Sequence, residues 1–163
     1  MSTSFHKLEF RTTEGSSYII NFTIFEANPL ADKVTVYDLV LSQEKNKGQE
    51  NYEVLNFLGN EVLKFLEKNS GIVYFYSDHA DIRKSEKNQG YSNQEFRNKL
   101  FSSMFERKKR KVIFGGNTFE FVLRNIQIKD PKNGDHFISL ISKKDCLDHL
   151  ENLADQILSI GEK

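Results

Sequence analysis

Apolar and polar residues alternate along the first forty positions of the chain. Leu8 and Phe10 are interleaved with Lys7, Glu9 and Arg11. Glu14-Gly15 offers a turn, and Tyr18, Ile20, Phe22 and Ile24 then alternate with Ile19, Asn21, Thr23 and Phe25. A period of two sends successive side chains to opposite faces and marks a strand. Asn28-Pro29 ends this stretch. From about Val34 to Leu41 apolar residues occupy both phases, with Val34, Val36 and Val40 in one and Tyr37, Leu39 and Leu41 in the other. That pattern suits a strand covered on both sides. Three strands with short links predict an antiparallel meander.

Beyond a polar, Lys-rich loop from Gln43 to Gln49 the period changes. Leu55, Leu58, Val62, Phe65 and Leu66 fall at helical spacing, which predicts a helix over Asn51 to Lys68, with Gly71 available for the left-handed turn after it. Ile72 to Tyr76 is short, aromatic and β-branched, and reads as a buried strand. A polar loop covers Ser77 to Tyr91. Ser92-Asn93-Gln94-Glu95 then has the form of a capping box and opens a helix carrying Phe96, Leu100, Met104 and Phe105 to about Arg107. Val112 to Phe114, the turn Gly115-Gly116-Asn117 and a strand from Thr118 to Lys129 predict a hairpin. The apolar phase of that long strand shifts from Phe119, Phe121 and Leu123 to Ile126 and Ile128. Either a bulge near Arg124-Asn125 or burial on both faces explains the shift. Asp130 to Gly134 is a turn, His136 to Ile141 a last strand, and Lys144 to Ile160 a final helix with Leu147, Leu150, Ala154 and Ile157 on one face.

The predicted order is βββ-α-β-α-βββ-α. Strands and helices do not alternate regularly, so the expected class is α+β, a largely antiparallel sheet with helices packed on it. The 163 residues carry no repeat or Pro/Ser-rich linker, which predicts one domain over residues 1–163. Fourteen Phe and six Tyr supply bulky core material, and the short apolar runs leave no candidate for a membrane-spanning helix. The start, Met1 to Lys7, lacks a charged segment followed by an apolar one, so no secretory leader is expected. The single cysteine, Cys146, permits no internal disulfide and fits a cytoplasmic location.

The net charge of zero conceals an asymmetry. Ile82 to Lys111 holds ten Lys/Arg against three acids, whereas Asp145 to Lys163 holds five acids and one Lys. The densest run is Arg107, Lys108, Lys109, Arg110 and Lys111. It serves either as a solvated helix end, where cations complement the helix dipole, or as a contact for an anionic partner such as nucleic acid or an acidic protein. Pairing of the acidic last helix with the basic segment of a second copy is a further possibility and would make a homodimer.

Motifs with defined chemistry are mostly absent. Neither a phosphate-binding nor a dinucleotide-binding glycine pattern occurs, and no Cys/His spacing suits structural zinc. Cys146 and His149 share a predicted helix without a third group, and the residue reads as a buried thiol. The densest cluster is Asp78, His79 and Asp81, followed by Arg83, directly after the aromatic strand. Two carboxylates and an imidazole there suit either a divalent metal or acid–base work. The alternative is ordinary loop chemistry, with Asp78 in an Asx turn and Asp81 paired to Arg83 or a nearby Lys. Arg97, one step round the helix from Phe96, is placed to reach Asp78 or Asp81. The opening βββ-α-β order also invites comparison with two-metal nucleases of the ribonuclease H type, in which Glu9, Glu61 and Asp78 would have to converge.

The stretch Val73 to Asp78, then Asp81, and Glu95 to Phe105 resembles an uncharacterised family, a domain of unknown function, of small bacterial proteins. The shared features are an aromatic strand ending in an Asp pair and a helix bearing Arg97 and Leu100-Phe101 before a further aromatic, Phe105. The chain departs from the family in the polar insert Lys84 to Tyr91 and in having Phe105 in place of a Trp. The resemblance implies a bacterial, cytoplasmic protein and no particular activity. Without a complete catalytic constellation, the leading expectation is a non-enzymatic binding or regulatory protein that needs no cofactor or bound metal and acts as accessory or neutralising partner of another protein. The alternative is a metal-dependent nuclease or phosphate-handling hydrolase built on Asp78, His79 and Asp81.

Overall fold

The computed structural model describes residues 4–13, 15–45, 51–77, 90, 92–108, 112–114 and 117–161. It is an α+β structure. Strands β1 (Ser4–Arg11), β2 (Ser17–Ile24) and β3 (Val36–Lys45) precede helix α1 (Asn51–Lys68), strand β4 (Ile72–Ser77) and helix α2 (Asn93–Lys108). Strands β5 (Val112–Phe114), β6 (Asn117–Phe119), β7 (Phe121–Ile128) and β8 (His136–Lys143) follow, and a short 3-10 turn leads into helix α3 (Leu147–Gly161). Six strands form one sheet in the order β1-β2-β3-β4-β8-β7, and β5 and β6 pair separately. All neighbours in the large sheet are antiparallel except β3 and β4. A parallel pair needs a crossover between its strands, and α1 supplies it.

Helices α1 and α2 cover one face, here the inner face. Leu55, Leu58, Val62, Phe65 and Leu66 of α1 and Phe101 and Phe105 of α2 pack there on Ile20, Phe22, Tyr37, Leu39, Val73, Phe75 and Ile141. Aromatic rings dominate this layer. Phe65 stacks on Phe22 at 4.1 Å and meets Tyr37 edge-on at 4.7 Å, while Phe75 lies 4.8 Å from Phe101. On the outer face α3 packs Leu150, Leu153 and Ala154 against Ile126, Ile138 and Leu140, and Leu30 and Val34 close over Val36 and Ile72. Arg124 of β7 is tied to Glu151 of α3 by an ion pair.

The local signals read from the sequence reappear with physical causes. Ser92 accepts the amide of Glu95 through its hydroxyl and caps α2. Gly71 has φ +138°, and a Cβ there would stand 2.5 Å from the Thr35 carbonyl oxygen, so the turn into β4 requires glycine. The phase shift in the long strand resolves into two elements. The strand breaks at Glu120, whose carbonyl accepts the amide of Lys144, and β7 then runs in unbroken register with β8. Burial on both faces, rather than a bulge near Arg124-Asn125, explains the shift, since Phe121 and Leu123 face α1 and α2 while Val122 and Ile126 face α3. Phe101, absent from the expected apolar face of α2, is fully buried.

Strand β4 has neighbours on both edges, and Ile72, Val73 and Phe75 are buried. Phe75→Ala should therefore lower stability by about 3–5 kcal/mol through the cavity it leaves. Denaturant melts read this directly, and a loss below about 1 kcal/mol would place β4 outside the core.

Candidate functional site

Polar groups converge at the C-terminal end of β4, where the β7–β8 turn and the start of α2 meet it. The turn is built by carboxylates. One oxygen of Asp130 accepts the amides of Lys132 and Asn133, and the other accepts the Asn133 side chain and the His136 ring, at 2.8 Å from Nε2. Gly134, at φ 89°, returns its amide to the Asp130 carbonyl. Asp135 accepts the Asp130 amide on one oxygen and Gln127 and Lys129 on the other. From α2, Gln94 donates to the Asp135 carbonyl.

His136 then reaches across to β4. Its Nδ1 lies 2.6 Å from the Tyr76 hydroxyl. The hydrogen bond from His136 holds the Asp130 carboxyl down at about 2, helped by the Asn133 and Lys132 amides. An ionised carboxylate only accepts, so the ring donates from Nε2 to Asp130 while its Nδ1 shares a hydrogen bond with the Tyr76 hydroxyl. The connectivity Asp130–His136–Tyr76 is that of a nucleophile or acid–base group backed by an oriented base. Next to it on the outer face, burial, with lesser contributions from Asp38 and Tyr76, raises the Tyr74 hydroxyl to about 12. Burial also raises the carboxyl of Asp38, the partner of Tyr74 in the β3–β4 register. Asp38, Tyr74, Tyr76, His136 and Asp130 thus form a row of titratable groups across three adjacent strands and the turn. On the inner face at this end the Ser77 hydroxyl is buried with no hydrogen-bond partner among the described residues.

The residues expected from the sequence are only partly covered. Asp78, His79, Asp81 and Arg83 lie outside the described residues, and so does the fork expected between Arg97 and Asp78 or Asp81. Arg97 itself sits half-buried in the second turn of α2. Of the basic run, Arg107 and Lys108 end α2, while Lys109, Arg110 and Lys111 fall outside the description. Arg107 is exposed and donates to the Ser103 carbonyl. Lys108 is not a simple solvated cation: its stem lies over Gly59 of α1, and desolvation, with Arg107 beside it, lowers the ammonium pKa. Of the acids of the two-metal comparison, Glu9 and Glu61 do not converge, and Asp78 lies outside the described residues. Glu9 is on the edge strand β1, with β2 and β3 between it and β4, and Glu61 is on α1, paired to Lys64. Among the described residues no group of three His, Cys, Asp or Glu side chains could hold a metal ion.

Cys146 is a buried free thiol at the opposite end of β4, beside a cavity of about 570 Å³ that His149 also lines. Burial and then Asp145 push its pKa up, which keeps it protonated and unreactive. No sequence pattern marks Tyr76, His136 and Asp130 as a unit. The turn Asp130 to Gly134 and the strand beginning at His136 were legible, but the pairing of β8 with β4 that brings them to Tyr76 was not.

Comparison of the chain with protein-family models and with curated proteins finds no match.

The depressed Asp130 carboxyl gives an acid-dependent prediction. Its contribution is complete above the unfolded pKa of about 4 and is lost as pH falls towards about 2. Asp130→Asn should melt below the wild type at pH 7, and the gap should close between these two limits. A gap that persists unchanged at the acid limit would show that Asp130 does not hold His136 as an ionised acceptor.

Proposed function

We propose that the chain is a non-enzymatic binding protein, an accessory or neutralising partner of another protein in the bacterial cytoplasm, and that it binds through the outer face of β1–β3. The observation that supports this reading is the uneven covering of the sheet. Helix α3 packs on β7 and β8, and among the described residues no helix packs on the outer face of β1–β3. Val40 is 40% exposed there, beside half-buried Ile19 and Asn21 and the exposed Lys7, Glu9, Arg11 and Ser42. An antiparallel sheet tolerates a solvated face. Apolar residues at its centre with a charged border have the layout of a protein interface, an apolar core and a polar rim. No described helix is long and apolar enough to cross a membrane.

A photo-crosslinker at Val40 should capture a discrete partner in cell extract that the same group at exposed Asn60 on α1 does not. Val40→Asp should abolish capture in a pull-down while leaving the melting temperature nearly unchanged, as surface substitutions do. Equal capture from both positions, or retention of every partner by Val40→Asp, would remove this face from consideration.

The Asp130–His136–Tyr76 connectivity favours a second reading, a hydrolase acting on phosphate-containing substrates at the end of β4, with Asp78, His79 and Asp81 as metal-binding residues of the adjoining loop. In that case a divalent metal raises the melting temperature in proportion to the logarithm of its concentration, and Asp78→Asn abolishes the rise. No rise with magnesium, manganese or zinc would count against the enzyme. Nucleic-acid contact through Arg107, Lys108, Lys109, Arg110 and Lys111 would show itself as binding that weakens steeply with salt.

A further inference from the structure

Strand β1 forms one edge of the sheet, with β2 on one side and, among the described residues, no strand on the other. Its outward N–H and C=O groups form a template for another strand. We propose that this edge pairs with β1 of a second copy, antiparallel and with the two-fold axis at Leu8, so that two sheets join into one.

The register follows from the residues. The pairing of β1 with β2 is regular from His6 to Arg11, beyond an irregularity between Ser4 and His6. Outward-facing backbone groups belong to alternate residues, so two identical antiparallel strands can only be centred on a residue, not between two. A centre at Glu9 sets Glu9 against Glu9 and Lys7 against Arg11, all like charges. A centre at Lys7 sets Lys7 against Lys7. A centre at Phe10 pairs Glu9 with Arg11 but joins only the three residues Glu9 to Arg11 before β1 ends. A centre at Leu8 places Lys7 opposite Glu9 twice, Leu8 opposite Leu8, and His6 opposite Phe10 twice. Every charged pair in that register is attractive, and the apolar and aromatic pairs fall on the other face.

The surroundings suit this pairing. Lys7 and Glu9 are exposed on the outer face, away from α1, which packs on the inner face. Phe10 is already fixed by stacking on Phe57 at 4.1 Å. His6 is held between Phe22 and Phe65, both at 6.0 Å, and with Leu8 lines a cavity of about 460 Å³ at this edge. In the paired form Phe10 of the second copy stands across from His6 at the cavity mouth, at the short range of a cross-strand pair. A two-fold contact of this kind is self-complementary and closes on itself, so it gives dimers and not fibres. The inference stands apart from the reading of the outer face, which it leaves uncovered.

Sedimentation equilibrium of the full chain tests it. A concentration-dependent dimer is expected. Glu9→Lys and Lys7→Glu, each turning two attractive pairs repulsive, should both weaken it by roughly tenfold. The double exchange Lys7→Glu/Glu9→Lys should restore it, with circular dichroism melts confirming that all three variants fold. A chain that stays monomeric up to roughly 1 mM, or a dimer that both single exchanges leave unchanged, overturns the proposal.

Discussion

The six residues of β4 have β3 on one side and β8 on the other, and both faces are occupied. With no free edge and with Ile72, Val73 and Phe75 buried, the strand belongs at the centre of a covered sheet. The parallel partner β3 demands a crossover, which assigns α1 to the inner face. The antiparallel partner β8 brings α3, which follows it, onto the outer face. Burying Ile72, Val73 and Phe75 contributes about 1.5–3 kcal/mol each. The sharp entry at Gly71, which excludes a Cβ, fixes where the strand begins.

Burial drives α1 and α3, whereas α2 is held in another way. Its buried Asn98 donates to the Ser139 hydroxyl, which donates to Asn125, whose amide donates to Ser102. Together with Gln94 on the Asp135 carbonyl, these bonds lay a polar seam between the helix and β7–β8, while Phe101 and Phe105 supply the apolar anchor. Buried polar groups are costly unless paired, and paired ones fix geometry. The seam runs towards the Asp130–His136–Tyr76 network at the end of β4. That network serves structure as well as chemistry, because the Asp130 carboxylate accepts three hydrogen bonds from its own turn and one from His136 of β8.

Much of this architecture was legible locally. Alternation in Leu8–Arg11 and Tyr18–Phe25, helical spacing in Leu55–Leu66, the Ser92 cap and the glycine before β4 each have a short-range cause and reappear in place. What depends on long-range pairing was not legible. The adjacency of β8 to β4, and with it the contact of Tyr76 with a histidine 60 residues away, follows from sheet order that no window of sequence encodes. Phe101 was missed because polar Asn98 and Ser102 flank the apolar stripe of α2 and blur its period. The Asp78, His79 and Asp81 cluster lies outside the described residues, and the residues that converge at the end of β4 come from β4 itself, β8 and the β7–β8 turn.

Helices α1 and α2 cover the inner face of the sheet, whereas the outer face is covered only in part. Methyl NMR with a soluble paramagnetic agent measures that directly. The account predicts strong broadening of the Val40 methyls, moderate broadening at Ile19, and none at Leu140 under α3 or at Val73 under the inner helices. Val40 methyls as protected as those of Leu140 would show that the outer face of β1–β3 is covered, and would contradict the account.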